Sequence, residues 1–317
     1  MKKSIFSNYS FHNYRHHDWE KLISFCSTYQ IFSSNSFNLT PSYLKKLLTR
    51  PSYSPLEDLF LVKKETEIAA LLNIWPELRI GRIILNIFVR PEHRRQGIAT
   101  ELLRLALKRG KKLGAGIVHI CLSPADGGAL SFLEKANFTL VRQFFKLDVD
   151  VNNLPLGRHS SSWLDVSNFK PGEEAWLARI QNRCFRDSWG FCPNTVEEIK
   201  YYLDLTGTEL VDIISARLKN EGRIIGYCWP HLIGNRNFSS SKLRGRIHML
   251  GVDPNFQDRG IGRFMLLKGL NYLKAQGVRR VELTADSQNK AAQFLYQSLG
   301  FRKTEVSLWF EKKLRTN

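Results

Sequence analysis

Two short stretches carry the residue types that could do chemistry on an anion. VRPEHRRQGIATELL begins at Val89, and VDPNFQDRGIGRFML begins at Val252. In the second, Gln257, Asp258, Arg259, Gly260, Ile261, Gly262 and Arg263 put two glycines and two arginines at the head of an apolar-periodic run. Where a helix starts, its first backbone N–H groups have no partner within the helix and carry the positive end of its dipole. Glycine removes side chains that would block close approach, and the arginines add full charge. Such a turn binds phosphate, and a pyrophosphate best. The first stretch offers the same chemistry through Arg94, Arg95, Gln96, Gly97, Ile98 and Ala99. No Gly-Lys-Ser/Thr follows either stretch, and antiparallel-looking strands precede both. Neither the Walker loop nor the dinucleotide GxGxxG therefore fits.

The two stretches stand in one register. At a constant offset of 163, Pro91 falls on Pro254, Gly97 on Gly260, Leu103 on Leu266, Leu107 on Leu270, Gly114 on Gly277, Val118 on Val281 and Phe138 on Phe301. A chance motif would not bring its downstream apolar positions with it, so the chain holds two copies of one domain. We place them at 1–150 and 158–317, joined within the polar, turn-rich 149–163, where Pro155 and Gly157 break regular structure. Each copy reads as helices, then strands, the glycine segment, a helix, a strand, a helix and a last pair of strands. In the second copy the leading helices are 173–185 and 195–203. Strands at 211–218 and 223–232 flank the turn Lys219-Asn220-Glu221-Gly222, and 246–252 is a third strand. Ile261, Met265, Leu266, Leu270 and Leu273 keep helical spacing to about Gln276. A strand at 279–286 and a helix closing at Gly300 follow.

A strand, Val-Asp-Pro and Gln-x-x-Gly-x-Gly opening a helix resemble the acyl-CoA motif of the GCN5-related N-acetyltransferases, the GNAT family. Gln257, Gly260 and Gly262 fit its signature in the second copy, and Arg94, Gly97 and Ala99 in the first. Downstream, Asn289, Ala292 and Tyr296 before Gly300-Phe301 resemble the family's N-x-x-A-x-x-x-Y…GF segment. The resemblance implies an α/β (α+β) fold of two GNAT-like domains, each a mixed, mostly antiparallel sheet flanked by helices. The two-copy plan resembles that of mycothiol synthase.

The resemblance also implies transfer of an acetyl group from acetyl-CoA, as co-substrate, to a primary amine by direct attack in a ternary complex. Leu250, Gly251 and Val252, and in the first copy Phe88 and Val89, would expose backbone groups to the pantetheine arm. The Val252 N–H would polarise the thioester carbonyl. Asn289 would hydrogen-bond the pantetheine, and Tyr296 would protonate the departing thiolate. His248, four residues before Val252 on one strand face, is the candidate base. Many relatives carry an acidic residue on this strand; Arg246 and His248 stand here instead. Asp187, Trp189 and Tyr201 fall in the segment that lines the acceptor pocket. In the first copy Asp126 replaces Asn289 and Leu133 replaces Tyr296. That copy is therefore expected to be degenerate, either still holding acetyl-CoA or only packing against its twin, and catalysis is expected in the C-terminal copy.

Composition sets the outer bounds. Of 317 residues 43% are hydrophobic, enough for real cores, and the net charge of +18 suits an anionic partner. Cys26, Cys121, Cys184, Cys192 and Cys228 form no CxxC pair, and the HNYRHH cluster at 12–17 lacks metal-site framing, so no metal is expected. No apolar run is long enough to span a membrane, and the N-terminus lacks the apolar core of a secretory signal, so a cytoplasmic protein is expected. A small amine is the expected acceptor. A protein or RNA acceptor, and a non-catalytic acetyl-CoA-binding regulator, are the alternatives. No aromatic-interleaved basic patch supports RNA, and an intact Tyr296 argues against a pure sensor.

Overall fold

The computed structural model describes residues 8–32, 39–154, 161–233 and 243–314. The expected linker residues Pro155 and Gly157 lie outside the described residues. The first copy runs β1 (Ser10–Asn13), α1 (Trp19–Thr28), α2 (Pro41–Leu47), α3 (Pro55–Asp58), β2 (Leu59–Lys64), β3 (Glu67–Glu77), β4 (Arg82–Val89), α4 (Ile98–Lys112), β5 (Ile117–Leu122), α5 (Gly127–Lys135) and β6 (Thr139–Asp150). The second runs β7 (Leu164–Asn168), α6 (Glu174–Phe185), α7 (Val196–Thr206), β8 (Ile214–Leu218), β9 (Ile224–Ile233), β10 (Arg244–Val252), α8 (Ile261–Ala275), β11 (Arg280–Asp286), α9 (Lys290–Ser298) and β12 (Arg302–Lys313). The mixed, mostly antiparallel sheet flanked by helices is the architecture the sequence predicts.

Two details differ. A short strand, β1 or β7, precedes the leading helices of each copy; SFHN holds one apolar residue, and the alternation in LDVSN spans only Leu164 and Val166. Each copy also ends in one long strand rather than a pair. These last strands matter for the division of the chain. One compact unit takes the chain up to Arg142 together with the residues from Ser307 on; the other takes Gln143–Val306. The repeat would have put the division at 150/158. Within the first unit, Leu308–Lys313 of β12 pair antiparallel with β5. Within the second, residues 144–150 of β6 pair antiparallel with β11. A strand's own sequence says which face it buries, not which edge it joins.

In the first unit the order is β1-β2-β3-β4-β5, then the end of β12; in the second it is β6-β11-β10-β9-β8-β7. The sheet of the second unit has an apolar layer on each face. Ile225, Cys228, Ile247, Val281 and Leu283 pack against Met265, Leu266 and Leu270 of α8. Tyr227 and Trp229 face Leu177 and Ile180 of α6 and Ile199 of α7. The helical spacing read at Ile261, Met265, Leu266, Leu270 and Leu273 is thus the buried face of α8. No helix among the described residues is long and apolar enough to cross a membrane.

Candidate functional site

Both glycine segments fold into the same backbone cradle. Gly97 and Gly260 sit at the N-cap of α4 and α8 with φ of 80° and 75°. Two residues earlier Arg95 and Asp258 also take positive φ, 62° and 60°. Left-handed residues alternating with ordinary ones turn successive N–H groups inward, the geometry of an anion nest at a helix N-terminus. A non-glycine residue in this region costs about 1–2 kcal/mol, so the bend at Arg95 and Asp258 is strain held identically in both copies.

The side chains around the cradle divide their duties differently from a simple phosphate-clamp reading. Arg94 Nε donates to the Val89 carbonyl at 3.1 Å, and Gln257 Nε2 to the Val252 carbonyl at 3.3 Å. Each closes its own turn onto the end of the preceding strand. Gln96 Oε1 accepts from the Tyr9 hydroxyl at 2.9 Å. Arg263 donates to Ser298 Oγ at 2.8 Å, and the Arg259 guanidinium lies over the Phe256 ring at 5.3 Å. The nest is formed by the backbone, and these side chains are held by protein partners.

The strand feeding each cradle parts from its parallel neighbour. β4 pairs with β5 only from Arg82–Ile117 to Leu85–Ile120, and β10 with β11 only from Arg244–Arg280 to Arg246–Glu282. On the other edge, Asp253 N donates to Ile225 O, and Val252 stands opposite Gly226. In an antiparallel ladder hydrogen-bonded and open pairs alternate. Leu250 and Val252 therefore turn their N–H groups away from β9, into the gap left by β11. Arg90 N bonded to Ala69 O gives Ile87 and Val89 the same orientation in the first copy. Phe88 is instead turned toward β3, and its ring packs on Phe25 and Tyr29 at 5.7 and 4.9 Å.

In the first unit this gap is a cleft of about 920 Å³. Phe88, Val89, Arg94, Arg95, Gly97, Ile98, Ala99, Asp126 and Leu133 all line it. Leu133, only 1% exposed, offers no proton at the position of Tyr296.

The second unit holds Tyr296, Asn289 and His248. Tyr296 on α9 is 8% exposed and packs on Phe301 at 5.7 Å between ring centres. Burial, reinforced by the Cys228 thiol, pushes its hydroxyl up to about 12, so it keeps its proton at any working pH. Asn289 caps α9, its Oδ1 accepting from Ala292 N at 3.0 Å, which leaves its amide nitrogen as the donor. Asp126 instead accepts from Ser123 N at 3.3 Å. His248 sits at a bulge in β10, where the register with β9 shifts between Ile247 and Met249. Its ring meets Trp229 edge-on at 4.9 Å. Burial, Arg246 and His231 together lower it to about 3, so it is a neutral ring near neutrality and a weak base. Of the expected acceptor-side residues, Trp189 packs on Phe144 of β6 at 6.0 Å, whereas Asp187 pairs with Arg186 and Tyr201 with Tyr202. Trp229 and Phe144 were not singled out from the sequence. The alternation Tyr227, Trp229, His231 along β9 was the available signal for the first.

The two remaining segment glycines have different structural reasons. A Cβ on Gly262 would meet Leu295 and Val252 at 3.7 and 3.9 Å, ordinary contacts. Gly262→Ala, the residue type at position 99, is expected to stabilise by about 0.5–1 kcal/mol, read as a raised urea midpoint, with acetyl-CoA affinity unchanged. A Cβ on Gly251 would meet Tyr227 Cε1 at 2.7 Å and Cys184 Cβ at 2.9 Å. Gly251→Ala is expected to cost about 1–3 kcal/mol through overpacking, read as a lowered midpoint in the same titration.

The profile of the acetyltransferase (GNAT) family matches residues 22–138 and 177–301, one match in each copy. The chain belongs to the GNAT family. Within it, the chain is 28% identical over 234 residues to a mycothiol acetyltransferase of Thermomonospora curvata, covering 71% of this chain and 72% of the relative. It is 28% identical over 247 residues to that of Mycobacteroides abscessus, covering 74% and 78%. The fold is similar to a GCN5-related N-acetyltransferase from Sphaerobacter thermophilus, with a TM-score of 0.72, 18% identity and coverage of 98% and 97%. A tandem GNAT protein from the clavulanic acid biosynthesis pathway gives a TM-score of 0.72 at 12% identity, covering 98% and 99%. GNAT membership makes the chain an N-acetyltransferase.

Proposed function

We propose that the chain moves an acetyl group from acetyl-CoA to the primary amine of a small molecule, and that the second unit performs the transfer. The observation that carries this reading is the difference between two otherwise matching sites: Tyr296 stands where the first unit has Leu133. Acetyl-CoA supplies an activated thioester, and the chain's residues position and polarise it. The cradle from Asp258 to Gly262 holds the pyrophosphate, with Gly260 shaping the backbone. The Leu250 and Val252 N–H groups face the pantetheine and the thioester oxygen, and the Asn289 amide nitrogen donates to the arm. Tyr296 gives its proton to the departing sulfur. His248, neutral, accepts a hydrogen bond from the incoming amine. The amine nitrogen then attacks the thioester carbonyl, the C–S bond breaks as sulfur takes the Tyr296 proton, and the surplus proton of the nitrogen leaves by way of His248 to solvent, from which Tyr296 recovers its own; holding both reactants in line supplies much of the rate.

The first unit, in this reading, binds acetyl-CoA without turning it over. Its cleft has the volume of a ligand site and a matching cradle, but an aliphatic side chain where the proton donor belongs. The small-molecule acceptor draws support from relatives named for mycothiol, a small molecule. The test is release of CoA thiol from acetyl-CoA on addition of a panel of primary amines. Amine-dependent release that survives Gly97→Glu and is lost in Gly260→Glu supports the reading. Release that follows Gly97 instead would move catalysis to the first unit.

A further inference from the structure

We propose that the acceptor amine of the second unit also carries a carboxylate, and that Arg246 selects for it. This rests on the acetyl-transfer reading above and names its substrate class. The register of the sheet puts the relevant side chains on one face. Arg246 stands beside Glu282 of β11 and opposite His231 of β9, and Thr284 stands opposite Lys146 of β6. Ile247, Val281, Leu283 and Leu147 point the other way, into the α8 core. The Arg246 face is therefore the side on which His248 meets Trp229. It is also where β10 and β11 begin to part.

Three cations crowd one buried carboxylate at this spot. Glu282, 2% exposed, is shared by Arg244 at 3.1 Å, Lys146 at 3.2 Å and Arg246 at 3.6 Å. Exposed Glu305 takes the other contact of Lys146. Among the other acids, Asp148 pairs with Arg280; Asp286 accepts from Gln288 N and Asp212 from the Tyr272 hydroxyl, neutral donors that leave both carboxylates charged. Two arginines thus face one buried carboxylate at the root of the gap. Arg246, 25% exposed, lies with its Nη2 on Thr284 Oγ1 at 3.1 Å, and Thr284 is open to solvent.

The two neighbouring imidazoles register the guanidinium. His248 and His231 are both driven down, to about 3 and about 4, by burial and by Arg246. The Trp229 indole nitrogen, buried beside His248, has no hydrogen-bond acceptor among the described residues. A carboxylate arriving at the guanidinium would offset the part of the His248 lowering that Arg246 adds to burial. An amine without one would find a base too weak to help. His248 lies two residues along β10 from Arg246, roughly 7 Å, so amine and carboxylate are a few bonds apart, as in a small amino acid. Aspartate or glutamate on this strand would repel such an acceptor; Arg246 attracts it.

The test follows the His248 ring by NMR in the full chain loaded with CoA, titrated with N-acetyl-4-aminobutyrate or with the carboxylate-free N-butylacetamide. The carboxylate should raise the His248 pKa by roughly one unit or more; the neutral amide should leave it in place. Arg246→Gln should raise the His248 pKa without ligand and abolish the response to the carboxylate; Arg246→Lys should keep the response. In turnover, 4-aminobutyrate should be preferred to n-butylamine by the wild type and not by Arg246→Gln. Intact CoA binding with no carboxylate response, or with equal responses to both probes, overturns this proposal. Failure to bind CoA overturns the acetyl-transfer reading beneath it.

Discussion

Gly260→Glu is expected to remove acetyl-CoA from the second unit, lowering affinity there by about 100-fold or more. Two costs add. The residue occupies φ 75°, so any side chain brings about 1–2 kcal/mol of backbone strain. The glutamate then sets a negative charge in a nest of N–H groups built to receive one, and like charges at an interface cost several kcal/mol, at about 1.4 kcal/mol per tenfold. Steric collision is not part of the effect, because a Cβ at Gly260 meets nothing within 4 Å. Gly260→Ala separates the costs: it carries the strain without the charge and should weaken binding about tenfold. Gly97→Glu transfers the experiment to the first unit, where φ is 80°. Calorimetry should show two sites in the wild type, each removed by its own substitution. Binding that persists in Gly260→Glu at wild-type strength would place the pyrophosphate elsewhere.

The cradles were legible because their logic is local. Glycine at the head of an apolar-periodic run, repeated with its downstream leucines, predicts a helix N-terminus twice, and α4 and α8 begin there. Asn289 and Tyr296 were legible by resemblance, and the helix that holds them starts at Asn289 as its cap. The rest depends on what meets across the fold. An arginine beside a phosphate nest reads as a ligand to it, yet Arg263 is bonded to Ser298, thirty-five positions on. His248 reads as an ordinary imidazole until the bulge in β10 sets it against Trp229 and its strand neighbour Arg246. Gly251 reads as backbone exposed to the pantetheine arm; in the fold it is Tyr227 and Cys184 that come close to its Cα. The last strands gave no sign that Leu308–Lys313 would pair with β5, since each has the same alternation whichever edge it joins.

Tyr296→Phe should lower turnover by about 10²–10⁴, the range for losing a positioned proton donor, while acetyl-CoA affinity stays close to that of the wild type. The ring is what packs: phenylalanine keeps the contact with Phe301 and the place in the α8 core, and only the hydroxyl goes. The environment of that hydroxyl sharpens the expectation. Burial raises it to about 12, so the acid form is complete from neutrality to pH 10, and ionisation would remove the donor only as pH rises through that value. Tyr296 should therefore impose no falling limb on the rate between pH 7 and 10. A fall near pH 8 that disappeared in Tyr296→Phe would mean that the hydroxyl titrates far below its buried value. Tyr296→Leu goes one step further and gives the second unit the side chain of the first. If the phenol is what separates a working copy from a binding one, Tyr296→Leu should still bind acetyl-CoA and should release thiol no faster than the first unit alone. A variant that kept its rate would take proton donation away from this residue, and with it the reason for assigning turnover to one copy.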